Sequence, residues 1–356
     1  MKILHTADLH LHEAYPERWV ALEELVRLAR EREITTLVIA GDLFDQNVDA
    51  ERLRPKLRET IGTGEFETII LPGNHDYKAY RSGLYFGENV RIITDWEEPI
   101  RLENTLLWGL PYTRMSGERL VTLLREMGAR MHSEDNNILI YHGELLDAYY
   151  SRQDLGDEGE QRYMPVKLSY FETLPLQYVL AGHFHSRYTS WQLPGGGLYI
   201  YPGSPVAVTR RETGRRKANL LISGEPPAEI ILDTFHYEEL RVKLDPLCNE
   251  DPRGLLRQKL RTLHPAALIL LTVEGFYNGA ALGIAEEELV ESIKQIAGAR
   301  NAEGNPYRFM DVRHVLEDDL YKYYQERVEQ EKYPPDVRER MTEMIIRAIM
   351  EVKGCS

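Results

Sequence analysis

Five short polar clusters carry residue types that could do chemistry. They are Asp8-Leu9-His10, Gly41-Asp42-Leu43-Phe44-Asp45, Gly73-Asn74-His75-Asp76, His142-Gly143-Glu144 and Gly182-His183-Phe184-His185. The donors among them (Asp8, His10, Asp42, Asn74, His142, His183 and His185) are carboxylates, imidazoles and one amide, with no thiolate. Such oxygen and nitrogen ligands suit borderline metals such as manganese, iron or zinc. Asp8 with His10, and His183 with His185, are each spaced i, i+2, which on an extended chain puts both side chains on one side. Asp42 is a carboxylate that can bridge two ions and fix their separation at about 3.5–4 Å. Taken singly, each residue has an ordinary explanation: a helix cap, a solvated loop aspartate, a satisfied histidine, a Gly-Asn turn. Taken together, the ordinary explanation needs five independent strand ends to acquire ligand-type residues in one order, and the metal reading accounts for all five at once.

The elements that must position these clusters are legible in outline. Each cluster follows a short apolar run of β type, at 3–7, 36–40, 68–71, 138–141 and 178–181. In open α/β sheets, functional groups gather beyond the carboxyl ends of strands. Between the runs, Trp19, Leu22, Leu25, Val26 and Ala29 recur at helical period over 17–33. Helices are also expected at 50–61, where Pro55 weakens the first turn, and at 117–127. Further strands fall at 90–94, 105–109, 197–201 and 218–222, the last two joined by a basic hairpin-like segment. The texture changes near residue 235: strand 241–244, helix 254–263, strand 267–273, helix 285–296 and strand 307–315 suit a smaller α+β domain. Two tail helices, 318–329 and 335–352, are split by Tyr333-Pro334-Pro335. The expected domains are therefore 1–235, 236–316 and 317–356.

The bulk properties exclude some classes. A chain of 356 residues that is 43% hydrophobic can bury a sizeable core in two domains. No apolar run approaches the roughly 18 residues of a membrane span. The opening Met1-Lys2-Ile3-Leu4-His5 turns polar too soon for a signal peptide. Two cysteines, Cys248 and Cys355, make no disulfide framework and fit a reducing cytoplasm. The formal charge is −14, of which residues 1–237 contribute −9 and residues 238–356 contribute −5. Neither part is a basic nucleic-acid module, so DNA would have to be met by a local strip or through metal rather than by bulk charge. One such strip is Thr209–Lys217, with Arg210, Arg211, Arg215, Arg216 and Lys217. Arginine forks match phosphate oxygens bidentately, although the stretch also reads as a solvated hairpin tip. A milder cluster, Arg253, Arg257, Lys259 and Arg261, reads as an exposed helical face.

The ordered motif set, over residues 1 to about 205, resembles the calcineurin-like metallophosphoesterases. That resemblance implies a β-sandwich flanked by helices, an α/β fold holding two divalent ions. One ion would be held by Asp8, His10, Asp42 and His185, the other by Asp42, Asn74, His142 and His183. His75 would be the acid that serves the leaving oxygen, with Asp76 setting its tautomer, while Asp45, Arg210, Arg211, Arg215 and Arg216 are the substrate-binding candidates. Within the superfamily, "MKILHTADLHL", "GDLFD", "LPGNHD" and "YPGSPV" resemble the SbcD-type DNA-repair exonucleases. This narrower likeness implies a Mn²⁺-dependent DNA exo- and endonuclease for double-strand-break repair and recombination, with a capping domain after Asp233. It also implies an SbcC-type coiled-coil ATPase partner and a homodimer through the first-domain helices, for which 17–33 offers Val20 and Leu28 beyond its core stripe. The chain departs from the pattern at Leu9, where a tryptophan is common, and at His12, where a glycine is common. His12 either extends the site or lies on the surface. The rival readings are a phosphatase or phosphodiesterase of small substrates, and a non-catalytic scaffold that binds DNA or an ATPase.

Overall fold

The computed structural model describes residues 1–80, 84–148, 162–245, 251–302 and 307–354. The chain divides into two units, Met1–Tyr237 and Glu238–Ser356.

In the first unit, β1 (Lys2–Thr6), α1 (Pro16–Glu31), β2 (Thr36–Ala40), α2 (Ala50–Ile61), β3 (Glu67–Leu71) and β4 (Val90–Ile92) alternate along the chain. After them come β5 (Ile100–Leu102), β6 (Thr105–Leu110), α3 (Gly117–Gly128), β7 (Asn136–His142), β8 (Leu176–Gly182), β9 (Thr189–Gln192), β10 (Leu198–Tyr201), β11 (Lys217–Ile222) and β12 (Ala228–Ile231). They form two six-stranded sheets, ordered β12-β11-β1-β2-β3-β4 and β5-β6-β7-β8-β10-β9. Side chains alternate across a strand, and this alternation builds three layers of core. Leu37 and Ile39 of β2 face outward to the packing of α1 and α2, while Val38 and Ala40 face inward. On β7, Leu139 and Tyr141 pack outward with α3, while Ile138 and Ile140 face inward. The inner core is shared, with Ile3, Val38 and Ile69 of one sheet packed in one cluster with Leu107, Ile140 and Leu180 of the other. The result is an α/β sandwich of two mixed sheets flanked by helices.

Register decides where the polar clusters go. Parallel pairing aligns Thr6 with Ile39 and Ala40 with Leu71 in the first sheet. In the second sheet it sets His142 beside Gly182. Five strands therefore end along neighbouring edges, and each hands its following residues to the same rim.

Four sequence expectations change. The segment between β10 and β11 is no hairpin, because those strands lie in different sheets and the chain crosses between them. Leu28 is 7% exposed within the helix core, leaving Val20, at 52%, as the outward apolar residue of α1. Pro55 lies beyond the first turn of α2, whose start is capped by the Asp49 side chain accepting from Glu51 N–H. The edge strands β5, β9 and β12 carry no full apolar alternation, and the sequence pattern missed them.

The second unit holds β13 (His236–Leu244), which begins at the end of the first, followed by α4 (Pro252–Arg261), β14 (Ala267–Tyr277), α5 (Gly279–Leu282), α6 (Glu286–Ala297), β15 (Tyr307–Asp311), α7 (Arg313–Leu316), α8 (Asp319–Gln330) and α9 (Pro335–Gly354). Its sheet has the order β13-β14-β15. The strand expected to reach 315 stops at Asp311, whose carboxylate takes the N–H groups of Gly279 and Arg313 and turns the chain into α7. Tyr321 of α8 and Ile346 and Ile349 of α9 pack with Phe276 and Val312. Among the described residues no helix is long and apolar enough to cross a membrane.

Candidate metal centre

The loops after β1 and β2 are knitted together by backbone hydrogen bonds: Asp8 N–H to Gly41 O (3.1 Å), His10 N–H to Asp42 O (2.9 Å) and Leu11 N–H to Leu43 O (2.8 Å). These bonds hold Asp8 (φ 58°), His10 (φ 48°) and Asp42 (φ 51°) in the left-handed region, and His183 is at φ 103°. Non-glycine residues visit positive φ only where the surroundings over-determine it, and such strain collects at functional sites. Gly41, at φ 97°, also lies where a Cβ would collide with the His142 ring. Gly73 leaves room in the same way for the Asp42 carboxylate.

The donors converge. His10 Nε2 lies 3.2 Å from His185 Nε2, and His185 Nε2 lies 3.7 Å from Asp8 Oδ1. Asp42 Oδ2 is 3.2 Å from His142 Nε2 and 3.9 Å from His10 Nε2. Asn74 Oδ1 is 2.8 Å from His142 Nε2 and 3.2 Å from His183 Nδ1. Asp8, Asp42 and His142 are fully buried, and His10 is 1% exposed. Asp42 Oδ2 accepts no well-formed hydrogen bond among the described residues. A buried carboxylate oxygen left without a donor is costly, and imidazole nitrogens crowded around it are placed as lone pairs would be for a cation. The groups Asp8/His10/His185 and Asp8/Asp42/His142 each bring their ligand atoms within 4.8 Å of one another, as does His10/Asp45/His75. The donor chemistry, nitrogen and oxygen without sulfur, fits divalent manganese, iron or zinc.

Residues 1–187 match the calcineurin-like phosphoesterase family. The chain belongs to that family. Among solved structures it is similar to the protein TT1561 of Thermus thermophilus, at 16% identity and a TM-score of 0.42, covering 61% of this chain and 92% of that one. It is similar also to a dimetal phosphatase from Danio rerio, at 11% identity and a TM-score of 0.41, covering 65% and 96%. A third is described as a novel archaeal phosphodiesterase, at 13% identity and a TM-score of 0.36, covering 65% and 100%.

In this calcineurin-like phosphoesterase the charges around the donors shift one another. Burial opposes charge on His142, but the Asp42 carboxylate beside it, and Asp8 further off, lift its pKa to about 9. Burial likewise opposes charge on Asp42, and His142, His10 and His75 together hold it well below the ordinary carboxylate range. Asp76 is pushed up to about 7, by burial first and then by the charge of Asp42, against hydrogen bonds from Tyr80, Gly73 and Phe44.

Geometry separates the two carboxylates near His75. The Asp76 carboxylate is engaged by Gly73 N–H (2.7 Å), Tyr80 O–H (2.8 Å) and Phe44 N–H (3.2 Å), so it closes the loop instead of orienting His75. The carboxylate at His75 Nδ1 is Asp45, at 3.5 Å. The sequence offers Asp45 as a substrate contact, but it sits between His75 and His10, with His10 Nδ1 at 3.8 Å and the Arg18 guanidinium donating at 2.7 Å. Burial opposes its charge, and those three partners hold its pKa below the usual range. His75 itself is half-buried, its N–H donates to Asp42 Oδ1 at 2.9 Å, and its ring stands edge-on to His10. His12 lies outside the cluster: its Nδ1 accepts from Ala14 N–H at 2.9 Å and its ring leans on Tyr15.

The basic strip separates on folding. Arg210 and Arg211 are exposed. Arg215 donates to Leu232 O and pairs with Asp233. Arg216 is 2% exposed and cannot be a surface contact, since its guanidinium donates to the carbonyls of His185, Ser186 and Ser204. Inside the same strip is a residue that the sequence reading missed. Glu212, 1% exposed, has Oε1 3.4 Å from His185 Nδ1. Burial opposes its charge, while His185, Arg216 and the Val208 N–H bring its pKa down to about 2. Its only sequence signal was an acid within a run of arginines.

Proposed function

We propose that this phosphoesterase is a Mn²⁺-dependent DNA exo- and endonuclease acting on DNA ends with a coiled-coil ATPase partner of SbcC type. The phosphodiesterase part rests on one observation: His10, His185 and His142 turn ring nitrogens toward Asp8 and Asp42 in a buried site where Asp42 Oδ2 accepts no well-formed hydrogen bond among the described residues. The DNA part is supported by the likeness of "MKILHTADLHL", "GDLFD", "LPGNHD" and "YPGSPV" to SbcD-type exonucleases, and by the α/β unit from Glu238 onward.

In this reading Asp8, His10, Asp42 and His185 would hold one ion, and Asp42, Asn74, His142 and His183 would hold the other. The bound ions would supply a water acidified toward neutral pH and neutralise charge on the phosphate. Asp42 would serve both ions. His75, with the Asp45 carboxylate 3.5 Å from its Nδ1, would give a proton to the leaving oxygen. Arg210 and Arg211 draw the phosphate backbone toward the rim.

A small-substrate phosphodiesterase is the second reading. The charge of −14, and the inward use of Arg215 and Arg216, favour it. One experiment separates the readings: Mn²⁺-dependent turnover of linear double-stranded DNA beside a chromogenic monoester and diester. Digestion of DNA, with a salt dependence that flattens in Arg210→Ala/Arg211→Ala, is the expected result. Hydrolysis of the small esters alone would hand the protein to the second reading. Two bound Mn²⁺ with no hydrolysis at all would leave a scaffold.

A further inference from the structure

We infer that Glu212 is a positioning residue that fixes the imidazole of His185 and makes the ion beside Asp8 and His10 the more tightly held of the pair. The inference rests on the metal reading above and adds a difference between its two halves. His185 Nε2 faces His10 Nε2 at 3.2 Å and Asp8 Oδ1 at 3.7 Å. For Nε2 to offer its lone pair there, Nδ1 must carry the hydrogen, and the atom in front of Nδ1 is Glu212 Oε1 at 3.4 Å. A carboxylate behind a ligating histidine sets the tautomer and raises ligand basicity.

Glu212 is built into this place. Oε2 accepts from Val208 N–H at 2.8 Å and Ser204 O–H at 3.1 Å, and Oε1 accepts from the N–H and the hydroxyl of Thr209, each at 3.1 Å. Arg216 balances the buried charge and ties down the carbonyl of His185 itself. On the other half, His142 is backed differently. His142 Nδ1 faces a neutral group, the Ala40 carbonyl, at 2.8 Å. His10, on the first half, has the Asp45 carboxylate 3.8 Å from its Nδ1, close enough for charge though not for a hydrogen bond. Two imidazoles near Asp8 thus have anionic support, while His142 has a peptide dipole.

The test is Mn²⁺ titration of the full chain by calorimetry, with electron paramagnetic resonance to count bound and coupled ions. The wild type should bind two ions in separable steps. Glu212→Gln should weaken the tighter step by roughly 10–100-fold and leave the weaker step within about threefold. Thermal melting in chelator checks that the loop still folds. Should Glu212→Gln lose the fold, the paired change Glu212→Gln/Arg216→Met, which removes the buried charges together, is titrated instead, with the same expected split. Equal weakening of both steps, or no weakening, would overturn the role of Glu212 and leave the metal centre standing. A wild type that binds no pair of Mn²⁺ would overturn the metal reading and this inference with it.

Discussion

The strand-end rim and the segment Thr209–Lys217 are both dense in polar side chains, yet folding uses them in opposite ways. At the rim, Asp8, His10, Asp42 and His183 are held in strained backbone, and Asp42 Oδ2 accepts no well-formed hydrogen bond among the described residues. In the basic segment, Glu212 and Arg216 turn inward and are taken up by the nearby backbone and by the Ser204 hydroxyl between them. Density of charge along the sequence is therefore a poor guide to a site. What remains uncompensated after folding is a better one, because burial makes an unmet polar atom expensive.

The harshest way to break this contrast is Asp42→Ala. If the rim is one centre joined through Asp42, the variant should lose both ions by elemental analysis. Diester hydrolysis should fall by more than about 10⁴-fold, beyond the range of a lost general acid. A full complement of two ions in this variant would mean that the rim is two separate clusters. Next in size is His75→Ala. The Asp45–His75 pair stands beside the Asp42 cluster, so metal content should persist while turnover drops by about 10²–10⁴-fold. Loss of metal along with turnover would make His75 a ligand.

How far the sequence reached follows the same physical line. The rim was legible because its residues are short motifs tied to strand ends, and parallel register carries strand ends to one edge whatever the details between them. The Thr6–Ile39, Ala40–Leu71 and His142–Gly182 alignments are that rule at work. The helix of Trp19, Leu22 and Leu25 was legible from its period alone. Partners set by three-dimensional packing were not. Asp45 and Asp76 are both acids close to His75 in the sequence or in its motifs, and only the fold decides that Asp76 caps the Gly73 loop while Asp45 meets the ring. Glu212 was hidden because the distance from residue 185 to residue 212 says nothing about contact. The edge strands were missed because they bury little, so they need no alternating pattern.

The basic segment yields a sharper contrast of its own. Arg216→Met leaves Glu212 buried without its counter-charge, which should cost about 3–5 kcal/mol in urea unfolding. Arg210→Met and Arg211→Met, at exposed positions, should stay within about 0.5 kcal/mol. Equal costs would show that Arg216 is not the internal partner that its hydrogen bonds describe.

The smallest effect tests the idea with two imidazoles of the same unit. His142 sits among carboxylates and is raised to about 9. His5, on β1 and fully buried, lacks such neighbours, and burial lowers its pKa from 6.5 to about 3, with a backbone hydrogen bond to Ala181 offsetting only part of the drop. Its nearest side-chain partner is neutral, the Asn219 amide at 3.4 Å. The unfolded chain binds a proton at His5 below pH 6.5 that the folded chain refuses until about pH 3. More protons on the unfolded state means that stability rises with pH across this window and falls as the pH drops through it. This one group should contribute a slope approaching about 1.4 kcal/mol per pH unit. His5→Gln, which cannot titrate, should flatten that part of the unfolding curve measured in chelator between about pH 4 and pH 6. An unchanged slope would mean that His5 takes up its proton without cost inside the fold. The charge of an imidazole in this core would then not be governed by its carboxylate neighbours.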